Sequence, residues 1–269
     1  MTILVTGATG NIGRKVVDHL LARGAGAVRA LTVNPAKAAL PDGVEVTVGS
    51  LRRPATLPAA FEGVEAMYLA PTPDTVEEVL RLAREAGVRR VVDLSGEHES
   101  WWGGVAKAVE TSGLVWTHLS PGDFMENALS WAPQIIATDT VREPYPHGRS
   151  TPIAMDDIAR VAATVLTTLG HEGEALPLTG PEILTRVDLV EAIGVARGKP
   201  VRFETVTRDE AVAALAPEMG DTAEWYVDTI LAGSVDWPAE VRPTVERVTG
   251  APATTFAQWA RDNAASFLP

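Results

Sequence analysis

Three glycines near the start of the 269-residue chain have a spacing suited to binding phosphate. Gly7, Gly10 and Gly13 follow a G-x-x-G-x-x-G pattern, between a short apolar run and the start of a helical pattern. The first glycine permits a tight turn, the second lets the backbone approach a pyrophosphate, and the third permits close packing of helix on strand. The free N–H groups and the dipole at the helix start then face the phosphates. This context predicts a dinucleotide site, the alternative being a glycine turn without a ligand.

Further cofactor contacts are predicted where strands end, because a doubly wound sheet binds its ligand at the carboxyl ends of its strands. Ser95 ends the fifth predicted strand, where it can bond the nicotinamide ribose or a substrate oxygen. Pro121 and Phe124 follow the sixth predicted strand, beside the expected nicotinamide. The predicted cofactor-binding residues are Gly7, Thr9, Gly10, Asn11, Ile12, Gly13, Asn34, Lys37, Ala70, Pro71, Thr72, Ser95, Pro121 and Phe124.

Three residues are candidates for catalysis. His98 is the best-placed titratable donor, since only histidine has an unperturbed pKa near neutrality. Its flanking glutamates also fit a solvated surface histidine, so both interpretations stay open. Ser95 and Tyr145 are the other candidate proton sources, with water as a further alternative.

Aromatic residues predict a substrate site for a flat or apolar compound. The predicted substrate-binding residues are Trp101, Trp102, Asn127, Trp131 and Tyr145. Burial in the core is the alternative for each aromatic residue, and capping of a helix is the alternative for Asn127. No metal site is predicted, because cysteine is absent and the five histidines, at positions 19, 98, 118, 147 and 171, lack ligand spacing.

The elements that must position these residues alternate between strands and helices, which predicts a parallel sheet with helices on both faces. Together with the glycine loop, this predicts an α/β, Rossmann-type doubly wound fold. Strands are expected at residues 3–6, 28–33, 44–48, 66–69, 90–94 and 115–119. Helices are expected at residues 12–23, 35–40, 56–61, 75–86 and 104–112.

The second half of the chain predicts a small, mostly helical C-terminal lid. Proline-rich turns lead to a helix at residues 156–169, with Asp156 or Asp157 as its expected N-cap, and then a strand at 175–179. Thr185 is expected to cap a helix at 187–197, followed by helices near 208–215, 222–231 and 255–265. We therefore expect an NAD(P)-binding domain at 1–152 and a substrate-binding lid at 153–269 that partly returns to the sheet.

Composition excludes several classes of partner. A formal charge of −12 disfavours nucleic acid and anionic membranes. No apolar stretch is long enough to cross a bilayer, and the first residues already have a strand pattern, so we expect no signal peptide and a cytoplasmic protein. The expected partner is a small-molecule substrate, and the sequence is compatible with a homodimer.

Longer stretches of the chain resemble the NmrA-like group of atypical short-chain dehydrogenases/reductases. They are GATGNIGRKVVDHLL, ALTVNPAKAALP, SGLVWTHLSPGDFMEN, TPIAMDDIARVAA and LPLTGPEILT, which together cover nearly the whole chain. The resemblance implies a parallel Rossmann sheet, a small C-terminal lid, and a substrate cleft between them.

The chain departs from this family's pattern in three places. Val33 stands where the family usually has an arginine, and Ser50 where an aspartate near the adenine is common. The Tyr-x-x-x-Lys dyad of short-chain dehydrogenases is missing. The residues four positions after the three tyrosines are Thr72, Arg149 and Ile230 instead of lysine. An NAD-preferring enzyme would show an acidic residue near position 33. Since Arg14 and Lys37 can reach a 2′-phosphate, NADP(H) is favoured over NAD(H), the alternative being that both are solvated surface charges.

Three functions remain open from the sequence. The leading hypothesis is an NAD(P)H-dependent reductase of a small, largely apolar carbonyl, quinone or conjugated compound. A second hypothesis is a non-redox enzyme on the same fold, such as a cyclase or isomerase. It would fit the absence, after the second predicted strand, of both the arginine typical of NADP binding and the acidic residue typical of NAD binding. A dinucleotide-sensing regulator without catalysis would fit the missing dyad.

Overall fold

The computed structural model describes residues 1–95 and 103–269, and its chain forms two compact units. Unit 1 consists of Met1–Pro121, Met155–Leu178 and Thr244–Ala251. Unit 2 consists of Gly122–Ala154, Thr179–Pro243 and Pro252–Pro269.

Strands and helices are numbered along the chain. The strands are β1 Thr2–Val5, β2 Ala27–Thr32, β3 Glu45–Val48, β4 Ala66–Leu69, β5 Arg90–Leu94, β6 Val115–Pro121, β7 Thr140–Glu143, β8 Arg149–Ser150, β9 Glu174–Leu178, β10 Leu184–Thr185 and β11 Arg202–Thr205. The helices are α1 Asn11–Ala22, α2 Pro58–Phe61, α3 Val76–Glu85, α4 Gly103–Thr111, α5 Ala132–Thr138, α6 Met155–Thr167, α7 Arg186–Arg197, α8 Arg208–Met219, α9 Thr222–Trp225, α10 Gly233–Asp236, α11 Thr244–Thr249 and α12 Phe256–Asp262.

Unit 1 contains a seven-stranded sheet in the order β3-β2-β1-β4-β5-β6-β9. Every neighbouring pair in it is parallel. The strand order reverses beside β1, as in dinucleotide-binding folds, so the predicted doubly wound sheet is confirmed. Because all the strands point the same way, their carboxyl ends form one edge of the sheet, and the predicted cofactor residues of unit 1 follow these ends.

Apolar side chains explain why these strands form the centre of unit 1. The four residues of β4 are all buried, as expected for a parallel strand covered on both faces. Leu4, Met67 and Val91 share one core cluster with residues of α3 and α4. Helices α1 and α6 pack against each other, and α6 also contacts β4, β5 and β6. The edge strand β3 is mostly exposed.

Several predicted elements differ in the structure. The helix predicted at 35–40 is a single 3-10 turn, Pro35–Lys37. Helix α6 begins at Met155, so Asp156 and Asp157 lie in its first turn and neither is its N-cap. Carboxylates in the first turn of a helix interact favourably with the helix dipole. Aspartates are therefore common both there and at the N-cap, so the sequence did not distinguish the two positions. Thr185 caps α7 in a capping box with Asp188, as predicted.

Unit 2 is mostly helical and has two small sheets. Strands β8 and β10 pair antiparallel, and β7 pairs with β11 in parallel. Its largest core cluster packs Trp131, Phe256 and Trp259 against side chains of α5 and α7. The sequence predicted neither of these sheets, because their short strands lie amid prolines and pair with distant segments.

Within the described ranges, no helix combines the length and apolar character that a bilayer crossing requires.

Candidate functional site

The glycine loop of unit 1 links the end of β1 to the start of α1. Gly7 has a φ of +60°, a left-handed conformation that glycine adopts without the strain of a side chain. Its carbonyl accepts a hydrogen bond from the Gly10 N–H at 2.8 Å, which closes a tight turn. Gly7, Thr9, Gly10 and Asn11 are exposed, so the loop presents its backbone to solvent.

Close packing leaves no room for a side chain at Gly13. A Cβ there would lie 2.1 Å from the carbonyl oxygen of Gly7, and one at Gly10 would lie 3.2 Å from the same oxygen. Gly13 therefore brings α1 against the loop itself, whereas the sequence pattern had predicted close packing of helix on strand. The loop is folded back upon the first turn of the helix.

The start of α1 is open to an anion. Gly10 is its N-cap and offers no side-chain acceptor, and the first turn holds no acidic residue. The first N–H groups of a helix have no intrahelical partner, so here they are free to meet phosphate oxygens. Asn11 belongs to this exposed turn, while Ile12 is buried and anchors it.

Thr6 joins the ends of β1 and β4. Its buried hydroxyl donates to the Tyr68 carbonyl at 2.9 Å and accepts from the Ala70 N–H at 2.8 Å. A Cβ at Gly7 would lie 2.9 Å from the Ala70 Cβ, so the segment after β4 packs directly beside the glycine loop. The predicted contacts Ala70 and Pro71 are thus brought to the loop that carries the phosphate-binding pattern.

A second set of bonds ties the segments after β3 and β4 together. The hydroxyls of Thr72 and Thr75 are 2.6 Å apart, and the Thr75 hydroxyl donates to the Leu51 carbonyl at 2.8 Å. Thr72 is buried, while Pro71 is exposed beside it. The edge of the sheet from β3 to β4 therefore has fixed loops.

Basic side chains lie around the segment after β2. The Arg14 guanidinium donates to the Ala39 carbonyl at 2.6 Å and to Asp18 at 3.2 Å, so α1 is tied to this segment. Asn34 and Lys37 are exposed there, as is Val33, at 66%. Arg14 is thus tied to the same segment of chain that carries Lys37.

The sequence analysis missed two further cations. Arg52 and Arg53 are exposed in the turn after β3. The carboxyl ends of β3 and β2 are neighbours, because the Gly49 N–H donates to the Thr32 carbonyl at 3.0 Å. A signal was present, because two adjacent arginines follow a predicted strand of an acidic protein.

Ser95 directly follows β5, and its N–H donates to the Leu119 carbonyl of β6 at 3.2 Å. Its hydroxyl is buried and has no hydrogen-bond partner among residues 1–95 and 103–269. Pro121, the last residue of β6, is half-buried. Ser95 and Pro121 therefore lie at the carboxyl ends of two neighbouring strands. His98, Trp101 and Trp102 lie outside the described residues.

A buried contact between a carboxyl group and an imidazole, which the sequence patterns did not indicate, joins β5 to β6. Asp93 and His118 face each other across β5 and β6, with 2.6 Å between Oδ2 and Nδ1. The other imidazole nitrogen is 3.5 Å from a Glu110 carboxylate oxygen, and the Trp116 ring stacks on the imidazole at 4.2 Å. Burial, together with Asp93, raises the pKa of Tyr68 well above its ordinary value, so this phenol stays neutral.

Unit 2 holds a buried charge cluster that includes one predicted substrate residue, Trp131. The Arg186 guanidinium makes two bonds to Glu143, at 2.7 and 2.8 Å, and lies over the Trp131 ring at 4.7 Å. The Trp131 indole donates to Glu143 at 3.0 Å. Trp131 is buried, so it has both the core position and a polar contact.

The other predicted residues of unit 2 lie on its loops. Asn127 is exposed and lies within a 3-10 turn whose N-cap is Phe124. Its side-chain amide donates a hydrogen bond to the Asp123 carboxylate at 2.7 Å, just before that turn. Phe124 precedes that turn and forms a bridge with Ile153. Tyr145 has a φ of +57° and packs against a small cluster that contains Val227. Within the described ranges, no group of three side chains could hold a metal ion.

The chain is similar to proteins with NAD(P)H-dependent activities. Residues 7–98 match the model of a family described as NAD(P)H-binding. The chain is 36% identical to the NAD(P)H azoreductase of Xenophilus azovorans, over 98% of this chain and 99% of that protein. It is also 36% identical to the (4-alkanoyl-5-oxo-2,5-dihydrofuran-3-yl)methyl phosphate reductase of Streptomyces griseus, over 99% of both.

Solved structures share the fold. The NADPH-dependent quinone oxidoreductase of Escherichia coli, complexed with NADPH, superposes with a TM-score of 0.85 at 26% identity. The match covers 97% of this chain and 99% of that one.

Proposed function

Because this chain belongs to the NmrA-like, NAD(P)H-binding family of atypical short-chain dehydrogenases/reductases, we propose that it is an NAD(P)H-dependent reductase. Its proposed substrate is a small, largely apolar carbonyl, quinone or conjugated compound. The observation that carries the proposal is the loop folded against α1, in which Gly13 has no space for a Cβ beside Gly7. The similar proteins are named as reductases of azo compounds and of a furanone phosphate, and as an oxidoreductase of quinones, and these names support a reductase.

The residues of unit 1 have separate roles in this proposal. The exposed backbone of Thr9, Gly10 and Asn11 would hold the pyrophosphate at the start of α1. Ala70, Pro71 and Thr72 would contact a ribose, because they follow β4 beside the glycine loop. Ser95 and Pro121 would contact the nicotinamide end. A bound reduced nicotinamide supplies a hydride, so the protein must bind the acceptor and let a proton reach it.

The proton source is proposed among His98, Ser95, Tyr145 and water. The buried hydroxyl of Ser95 supports its inclusion, since it lacks a partner in the described part of the chain. Tyr145 is half-buried in unit 2, and its strained backbone is a feature that functional sites often have.

We propose a preference for NADP(H) over NAD(H). Arg14 is held at the segment after β2 by its bond to the Ala39 carbonyl, and Lys37 is exposed in the same segment. Arg52 and Arg53 add positive charge after the neighbouring strand. In a chain of net charge −12, this concentration of cations favours the extra phosphate of NADPH.

The test is steady-state oxidation of NADPH and NADH across a panel of quinones, enones and azo compounds, with matched titrations of cofactor binding. Cofactor-dependent turnover, with a lower KM for NADPH, is the expected result. Binding of either cofactor without turnover of any acceptor would contradict a reductase and favour a dinucleotide sensor. Transformation of a substrate by protein shown by mass spectrometry to be free of dinucleotide would favour a non-redox enzyme.

A further inference from the structure

Strand β11 of unit 2 has one edge without a neighbouring strand among the described residues. Its small sheet contains only β7 beside it, and the two strands run parallel. On the β7 side, the Arg202 N–H donates to the Asp139 carbonyl at 2.9 Å. In a parallel pair, alternate residues bond to the neighbouring strand, so the backbone groups of Phe203 and Thr205 point away from β7. The outer edge of β11 therefore offers N–H and C=O groups to another strand.

The side chains of β11 alternate between two faces. Val201 and Phe203 pack against the core cluster that contains residues of α7, so they lie on the α7 face. Arg202 and Glu204 lie on the opposite face, and both are exposed. Glu204 accepts a hydrogen bond from Arg142 of β7 at 3.1 Å. Arg202 has no side-chain partner within the described ranges, so its charge is available to a further carboxylate.

An apolar groove of about 500 Å³ lies along the same edge. Its lining includes Val187, Val190 and Val195 of α7, together with Val201 and Phe203. None of the described residues of β7 lines it, so the groove lies on the outer side of β11. Val195 is 76% exposed. An exposed apolar side chain beside an apolar groove is typical of a surface that binds another protein.

This edge is held in place by contacts within unit 2. A Cβ on Gly194 would lie 3.0 Å from the Val201 nitrogen, so α7 packs directly on the start of the strand. The Val206 N–H, just after the strand, donates to the Glu143 carbonyl at 3.3 Å. Because both ends are fixed, a strand that pairs here need not order β11 first, which lowers the entropic cost of association.

The sequence of β11 is complementary to itself in one antiparallel register. When Phe203 faces Phe203 of a second copy, the two residues exchange a pair of N–H···O=C bonds. Arg202 then lies opposite Glu204 of the second copy, in the closely spaced type of pair where opposite charges stabilise a sheet. Two-fold symmetry repeats this charge pair and closes the assembly at two copies.

The apolar groove fits the same arrangement. Directly opposite residues of paired strands share a face, so both Phe203 rings would lie on the α7 face and meet at the symmetry axis. The groove of each copy would then open towards the other copy. A four-residue strand gives few hydrogen bonds, and burial of these two grooves supplies the apolar contact that a stable interface needs.

We propose that the outer edge of β11 is a homodimer interface, in which the β11 strands of two copies pair antiparallel about Phe203. The pairing joins two small sheets into one four-stranded sheet, in the order β7-β11-β11-β7. The interface uses none of the candidate cofactor or substrate residues, so it does not depend on the proposed function.

The test is sedimentation equilibrium of the intact chain, which measures the dissociation constant of the dimer. Arg202→Glu and Glu204→Arg each place like charges opposite one another at both symmetry-related pairs, and each should raise this constant about tenfold or more. An equimolar mixture of the two variants should associate again, because every pair then joins an acidic to a basic side chain. The control is Arg89→Glu, the same change of charge at an exposed residue of unit 1, which should leave the constant unchanged.

Thermal unfolding checks that each variant is folded. Wild-type protein that stays monomeric up to its solubility limit would overturn the interface, as would a dimer that neither β11 variant weakens. Equal weakening by Arg89→Glu would mean that net charge controls association, and would also overturn it. Two weakened variants that fail to associate when mixed would contradict the antiparallel register about Phe203.

Discussion

The carbonyl oxygen of Gly7 occupies the space that a side chain on Gly13 would need, since a Cβ there would be 2.1 Å away from it. These two glycines are six positions apart, and their contact folds the loop onto the helix that follows. The contact concerns backbone atoms, so movement of a flexible side chain cannot relieve a clash.

Gly13→Ala is therefore expected to destabilise the protein by about 1–3 kcal/mol and to weaken NADPH binding at least tenfold. Urea unfolding and a cofactor titration measure the two effects. The matched control is Gly104→Ala, because Gly104 is also helical and a Cβ there has open space. That control should be neutral or slightly stabilising. Equal behaviour of the two variants would contradict the role of the close approach.

Thr6→Val should lower the free energy of unfolding by about 1–3 kcal/mol, because the partly buried Ala70 N–H loses its acceptor. Thr6→Ser keeps the hydroxyl and should retain most of that stability. Urea unfolding of the two variants separates the hydrogen bonds from the methyl group. A larger loss in the serine variant would show that packing dominates.

Val33→Arg should favour NADPH over NADH by about tenfold, since a guanidinium after β2 can bind the 2′-phosphate through charge-assisted bonds. Val33 is exposed, so the longer side chain meets no steric barrier. The control is Leu169→Arg, which adds the same charge at another exposed residue. Leu169 follows α6 and lies near the start of β5, at the opposite edge of the sheet. An unchanged ratio of the two dissociation constants would place the adenosine ribose elsewhere.

Glu143→Gln should cost about 3–5 kcal/mol of unfolding free energy, because it leaves the Arg186 charge buried without its carboxylate. The double variant Glu143→Leu with Arg186→Met removes both charges and should cost much less. Urea unfolding of the single and double variants gives the comparison. A double variant as unstable as the single one would mean that the ion pair itself stabilises the fold.

His98→Ala should reduce turnover about 10²–10⁴-fold with little change in cofactor affinity, if His98 is the acid of the proposed reaction. His98→Gln keeps a hydrogen-bond donor and separates proton transfer from positioning. Steady-state kinetics across pH make the measurement. Full activity in both variants would leave Ser95, Tyr145 or water as the proton source.

Local patterns explain how much of the fold could be predicted from the sequence. The glycine spacing, the alternation of strands with helices and the Thr185 cap are local, and each is present in the structure. The pairing of Asp93 with His118 depends on which strands become neighbours, and the pairing of β7 with β11 joins segments about sixty residues apart. Arg186 and Glu143 likewise meet through tertiary folding. No single stretch of sequence contains both members of such a pair.

The division of unit 1 into three stretches of chain has a consequence for how the protein is made and handled. The last stretch of unit 1 ends at residue 251, so the unit is complete only after the ribosome has added that residue. Strand β6 likewise has no partner on its outer side until β9 has been synthesised. A recombinant fragment that stops at residue 154 would present β6 as an unpaired edge, which promotes aggregation. Cofactor binding must therefore be assayed on the intact polypeptide, and a fusion partner belongs at a terminus.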